Sequence, residues 1–185
     1  MKFLVTDVET TGLDPVRDKL LEVACIMLDE EWNELDTFER VISQPEWSRT
    51  ALIHRTDDFV VDMHTNNGLW DDVYGDRSQS RSSVDGQLAG WILGYTEEFE
   101  EVRVVGNSLR LDLNFIEHHL PMTQDEISYR SIDVSAVETF LNVGLDLPKF
   151  PRDDVSNHRA MDDARACYTQ MLFHREALRE LMRHA

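Results

Sequence analysis

Residues 2–15 read KFLVTDVETTGLDP, and the first eight of them have the pattern of a buried strand that ends in acids. The turn-rich TTGLDP then reverses the chain. KLLEVACIMLDE (19–30) and ELDTFERVIS (34–43) repeat the strand pattern on either side of the polar EWN. This stretch predicts three strands in hairpin succession.

Working outward, residues 45 to 74 read as irregular, with short helices around Arg49 to Asp57 and Asn67 to Tyr74. The run DRSQSRSS (76–83) is polar and has no evident cap, which predicts a mobile loop. Val84, Leu88, Trp91, Ile92 and Tyr95 then recur at spacings of three and four, as on a helix. VRVVGN (102–107) is a fourth strand ending at Gly106, and a helix from Ser108 to His119 opens directly after it. Strand into helix is the parallel crossover arrangement. YRSID is a short fifth strand, followed by a helix over Val134 to Asn142. After the Pro- and Asp-rich LPKFPRDDVSN, a long helix starts near His158, where Ala164, Cys167, Tyr168, Met171 and Leu172 form an apolar stripe. The order βββαβαβα describes an α/β fold in one domain over residues 1–185.

The 185 residues carry 18 Lys and Arg against 36 Asp and Glu, a formal charge of −18. A hydrophobic share of 42% is enough for a sizeable core, so wholesale disorder is excluded despite the charge. No window approaches the ~20 apolar residues of a membrane span. The opening places acids and Gly where a signal peptide needs an apolar run. A soluble, cytoplasmic protein without a membrane partner is expected. Cys25 and Cys167 lie in apolar surroundings without metal-ligand spacing and read as buried free thiols. The acidic balance disfavours tracking along a long polyanion, since that affinity rises with each phosphate neutralised. It leaves room for a substrate held through metal ions at only a few phosphates.

Asp7 and Glu9 lie two apart on the first strand and share one face. Acids are depleted within strands, although a DxE pair also suits a solvated strand end. Asp112 sits one turn into the helix after the fourth strand, beside the strand ends where open α/β sheets place ligands. It equally suits the helix dipole. His158 and Asp163 flank RAMD at the start of the last helix. On a continuous helix they would stand about 140° apart, so their convergence requires His158 to precede the regular helix. Asp162 then falls on another face.

Four acids and one histidine thus come from the ends of three elements. Such carboxylates repel one another unless cations sit between them. Oxygen ligands without thiols suit Mg²⁺ or Mn²⁺, and two such ions about 4 Å apart clamp an in-line phosphoryl displacement. Metal ligation is assigned to Asp7, Glu9, Asp112 and Asp163. His158 is the expected general base for the attacking water.

With these residues the chain resembles the DEDD superfamily of 3'-to-5' exonucleases, in the subgroup with His in its third motif. Asp7-Val-Glu9 with TTGLDP matches the first motif, GNSLRLD ending at Asp112 the second, and His158-RAMD-Asp163 the third. Within the superfamily it is most similar to the oligoribonucleases over about Phe3 to Glu176, through TGLDPVRDKLLEVA, DMHTNNGL, YRSIDVS and HRAMDDARACY as well. The resemblance implies an RNase H-like fold, a mixed five-stranded sheet flanked by helices. It also implies a homodimer and removal of nucleotides from very short single-stranded RNA, down to dinucleotides. By the same resemblance Leu13 and His64 contact bases, Ser108, Arg130 and Ser135 cap the terminal 5' phosphate, and Tyr129 reaches across from the partner subunit. A fixed set of donors around a terminal phosphate would make short length a requirement, and an Arg fork suits a phosphate dianion.

Two other readings use the same residues. TTG after Glu9 is shared with proofreading exonucleases, so one alternative trims DNA or longer RNA; a basic groove would be expected for it. The other is a non-catalytic acidic interaction protein on the same fold, which has no need of five polar residues at these positions.

Overall fold

The structure, a computed structural model, describes residues 1–145, 147–151 and 157–184. Its strands are β1 (Lys2–Thr10), β2 (Leu20–Leu28), β3 (Glu34–Val41), β4 (Val102–Gly106) and β5 (Ser131–Asp133). Between β3 and β4 lie α1 (Arg49–Ile53), α2 (Asp58–Asn66), α3 (Leu69–Val73) and α4 (Arg81–Leu93). Then come α5 (Arg110–His119), α6 (Pro121–Glu126), α7 (Val134–Leu145) and α8 (Ala160–His184). The sheet order is β3-β2-β1-β4-β5, with β1, β2 and β3 antiparallel and β1, β4 and β5 parallel. This is the mixed five-stranded sheet flanked by helices that was expected.

Every residue of β2 is buried, which explains its near-continuous apolar run: both faces of the sheet are covered. On one face Leu4, Val8, Val23, Cys25 and Met27 pack with Val84, Leu88 and Ile92 of α4 and Phe115 and Ile116 of α5. On the other, Val5, Ile26, Leu28 and Val105 meet Ala164 and Cys167 of α8. Strand alternation puts Asp7 and Glu9 on the same face as Val5, under α8. Both cysteines are buried free thiols, pushed up to about 12 by burial.

Three expectations for the connections are corrected. The 76–83 stretch is tied to the sheet: Gln79 donates its N–H to Val41 O at 2.9 Å and accepts from Ser43 N at 2.8 Å. Ser80 caps α4, its hydroxyl accepting from Ser83 N at 3.3 Å, so the helix opens at Arg81, earlier than its apolar stripe indicates. The irregular 45–74 region contains α2, capped by Asp57, whose carboxylate accepts from Phe59 N at 2.9 Å. The sequence reading also passed over α6, which opens with Pro121 in its first turn. Most of the Asp-rich segment before α8, residues 152–156, lies outside the described residues.

Candidate active site

β1 delivers Asp7 and Glu9 at the sheet end where α8 begins, and α8 presents Asp163 in its first turn. One carboxylate oxygen from each of these three lies within 4.8 Å of the others. Asp112 approaches from α5 and is buried. Its Oδ1 accepts the backbone N–H of Val8, the residue between the two strand acids, at 3.1 Å. Asp162 is exposed and turned to Asn157, whose amide is 3.2 Å from its Oδ2.

The electrostatics are those of a negative cluster taken out of water. Burial, reinforced by Asp112, Glu9 and Asp163, raises the Asp7 carboxyl well above the ordinary range. Burial, then Asp163 and Glu22, raises Glu9 to about 9, with Arg159 pulling the other way. Burial lifts Asp112 to about 7 against the opposing effect of the hydrogen bonds it accepts from backbone N–H groups. These shifts disfavour the simultaneous ionisation of Asp7, Glu9 and Asp112, and a cation among them would reverse that. An all-oxygen donor set of this kind fits a hard divalent ion such as Mg²⁺ or Mn²⁺.

His158 precedes α8, as convergence requires, and has φ 47°. It is exposed, and its carbonyl accepts a hydrogen bond from the side-chain amide of Asn67. With Met63, Asn66, Asn67, Asn157, Arg159 and Asp162 it lines a cavity of about 400 Å³. None of Asp7, Glu9, Asp112 and Asp163 lines that cavity.

The residues assigned to substrate contacts divide into three groups. Leu13 is 80% exposed in the turn after β1 and Tyr129 is 83% exposed before β5; the Arg130 guanidinium lies 4.6 Å above the Tyr129 ring. Arg130 Nη1 is also 3.3 Å from Glu101 Oε1. Ser108 (φ 52°) forms the turn from β4 into α5, and Ser135 lies in the first turn of α7. These turns are joined: Asp133 accepts from Leu109 N and Ala136 N, each at 3.1 Å, while the Ser135 hydroxyl donates to Asn107 Oδ1 at 3.0 Å. His64 stands apart, because it is fully buried and offers no open face to a base. Its Nε2 donates to Thr10 O at 3.0 Å and lies 3.9 Å from Glu9, and Trp70 meets the ring edge-on. Burial lowers its pKa, consistent with a neutral ring.

Sequence reasoning passed over Glu22 and the role of Arg159. Glu22 is fully buried in β2 and faces Glu9 across the ladder. The Arg159 guanidinium bonds to both of its oxygens. The available signal was an acid inside the apolar run LLEVACIML, since a buried carboxylate needs a cation or several donors.

Comparisons with known proteins agree with this architecture. The family model described as Exonuclease, RNase_T, matches residues 4–171. The oligoribonuclease of Vibrio cholerae is 30% identical over 175 residues, covering 93% of this chain and 92% of that protein. The oligoribonuclease of Cutibacterium acnes is 28% identical over 178 residues, covering 93% of this chain and 83% of that one. Among solved structures, E. coli exonuclease I in complex with a dT13 oligonucleotide superposes with a TM-score of 0.66 at 13% identity. The match covers 99% of this chain but only 43% of exonuclease I. Exonuclease I from Methylocaldum szegediense gives 0.67 at 17% identity, over 91% of this chain and 39% of its own. These structural likenesses establish the RNase H-like fold, and the sequence matches establish the family. The chain belongs to the RNase_T exonuclease family, as an oligoribonuclease-like 3'-to-5' exonuclease.

Proposed function

We propose that this exonuclease degrades short single-stranded RNA, down to dinucleotides, to nucleoside 5'-monophosphates, as one domain working in a homodimer. The observation that carries the reading is the meeting of Asp7, Glu9 and Asp163 within 4.8 Å, with Asp112 bonded to the strand between the first two. Asp7, Glu9, Asp112 and Asp163 would hold two divalent ions, Mg²⁺ or Mn²⁺. When bound, such ions polarise the scissile phosphodiester and lower the pKa of an attacking water. His158 takes the water's proton as general base. It stands on an exposed turn ahead of α8.

Ser108, Arg130 and Ser135 receive the terminal 5' phosphate, and the hydrogen bonds joining the β4–α5 and β5–α7 turns support a common site. Arg130 supplies the charge, from a position where its Nη1 lies 3.3 Å from Glu101 Oε1. Leu13 packs on a base, and the exposed Tyr129 reaches the second subunit's substrate. His64 acts from within, holding the end of β1 beneath the base that Leu13 meets. The relatives' name, oligoribonuclease, supports RNA as substrate. A charge of −18 argues against a long strand, whose binding calls for a basic groove. A cytoplasmic location goes with this substrate.

The test is turnover with Mn²⁺ or Mg²⁺ on a 5'-phosphorylated RNA dinucleotide, an RNA several nucleotides longer and the matching DNA, with Asp112→Ala as control. Fast cleavage of the dinucleotide, slowing with length, is expected. Preference for longer RNA or DNA would leave the metal chemistry standing and replace the substrate assignment.

A further inference from the structure

Glu22 sits opposite Glu9 in the β1–β2 ladder, on the face that α8 covers. Its negative charge acts on Glu9, and its own oxygens are fully engaged. Arg159 Nε lies 3.2 and 3.1 Å from its two oxygens and Nη2 lies 2.6 Å from Oε1. The N–H of Ala160, first residue of α8, donates to Oε2 at 3.0 Å. One carboxylate on β2 therefore satisfies an unpaired donor at the start of α8 and grips the guanidinium just before it.

The grip extends to the next residue. Arg159 also pairs with Asp72 Oδ2 at 3.0 Å and directs Nη1 to Asn67 O at 3.5 Å. The Asn67 side chain in turn bonds to the carbonyl of His158. His158 holds a left-handed backbone, which a residue with a side chain keeps only where its surroundings fix it. On one side of it is a guanidinium locked to the sheet, and on its own carbonyl is the side-chain amide of Asn67, a residue whose backbone carbonyl lies 3.5 Å from that guanidinium.

We propose that Glu22, Arg159 and Asn67 form a clamp of positioning residues that holds His158 in the turn from which it serves the carboxylate site. The proposal rests on His158 being the general base. Its content is that the clamp acts on proton transfer through His158, whereas the metal ions are held by other residues. The alternative is that Arg159 and Glu22 simply set the charge around Glu9, in which case metal affinity would change with them.

The two are separated by measuring kcat and KM on the RNA dinucleotide, and Mn²⁺ affinity, for Glu22→Gln and Arg159→Lys in the native and His158→Ala backgrounds. Each clamp variant is expected to lose kcat by about a hundredfold, the cost of a small misplacement of a catalytic group. KM should stay within about threefold of the native value in each variant, as should Mn²⁺ affinity in Arg159→Lys, which keeps the positive charge near Glu9, and in the His158→Ala background the clamp variants should cost nothing further. Asn67→Ala, at the half-buried outer edge of the clamp, repeats the test should the buried substitutions prevent folding; a loss of about tenfold that vanishes in the same background is expected. Equal losses in both backgrounds, or Mn²⁺ affinity falling in step with kcat, would overturn the clamp alone. Undiminished kcat in His158→Ala itself would remove the base assignment and the clamp with it.

Discussion

The Val8 amide donates to Asp112 Oδ1 at 3.1 Å across 104 positions of sequence. Asp112 is thereby fixed by the strand residue that separates Asp7 from Glu9, so the geometry of the carboxylate cluster is part of the β1 backbone. The same bond gives Asp112 two separable roles, as charge and as acceptor.

Asp112→Asn keeps an acceptor for Val8 and removes one charge, whereas Asp112→Ala removes both. Both variants are expected to be inactive. In chelator, the Asn variant should melt at or above the native protein, because carboxylate repulsion is relieved. The Ala variant should be less stable than the Asn variant by about 1–3 kcal/mol, the cost of a buried N–H without a partner. Thermal melts in EDTA check the order; identical melting of the two would mean that the Val8 bond contributes nothing.

The raised carboxyls set the pH dependence of the metal-free protein. Glu9 at about 9 and Asp112 at about 7 favour the folded state while protonated. Their contribution is complete below their unfolded values near 4 and is lost as pH rises through 7 and then 9. The melting temperature in chelator should therefore fall from about pH 5 to about pH 9. Mn²⁺ at a hundred times its Kd at neutral pH should raise it by about 5–10 °C, and the same concentration by more at the alkaline end, where the ligands are easier to ionise and Kd is lower. Calorimetry at several pH values measures both slopes; a metal-free protein that gains stability with pH would contradict the burial of the cluster.

Arg130 has a resident competitor for phosphate. Glu101 accepts from Arg103 at 2.9 Å, Ser128 at 2.7 Å and Arg130 at 3.3 Å, and these bonds hold its carboxyl down at about 2. Arg130→Ala should weaken binding of a 5'-phosphorylated RNA dinucleotide by about tenfold or more, the scale of a charge-assisted hydrogen bond. Glu101→Gln should strengthen it by roughly two- to fivefold, as an exposed ion pair is released. Equilibrium binding to the inactive Asp112→Asn protein is the readout. Equal effects on a dinucleotide without the phosphate would remove the cap assignment.

Gly106 closes β4 where the chain turns toward Asp112. A Cβ there would stand 2.5 Å from Leu109 Cδ2 and 3.0 Å from the backbone oxygen of Thr6. The leucine can rotate; the strand carbonyl cannot. Gly106→Ala should cost about 1–3 kcal/mol by overpacking and lower kcat by about tenfold or more as Asp112 is displaced. Chemical denaturation and turnover test this together, and native values of both would show that the turn yields freely.

The sheet was legible because β1, β2 and β3 are local in sequence and strongly patterned, and β4 announces itself by VRVVG before a helix. The carboxylates were legible because Asp7 and Glu9 break strand composition at a spacing of two, while the five-residue separation of His158 and Asp163 required a turn ahead of α8 for the two to converge. What escaped depends on tertiary partners. Serine and aspartate caps gave α4 and α2 starts that their apolar residues did not mark. The pairing of Glu22 with Arg159 spans 137 positions, which no local pattern encodes. His64, matched by motif to a base contact, is buried with its ring bonded to Thr10 O at the end of β1, a tertiary partner 54 positions away that no local pattern marks.

Assembly of the site from residues 7, 9, 112 and 163 also orders events during synthesis. A chain that has emerged only as far as α5 and β5 carries Asp7, Glu9 and Asp112 but neither Asp163 nor His158. Until α8 emerges and docks on Val5, Ile26, Leu28 and Val105, the nascent chain lacks the last of the four carboxylates.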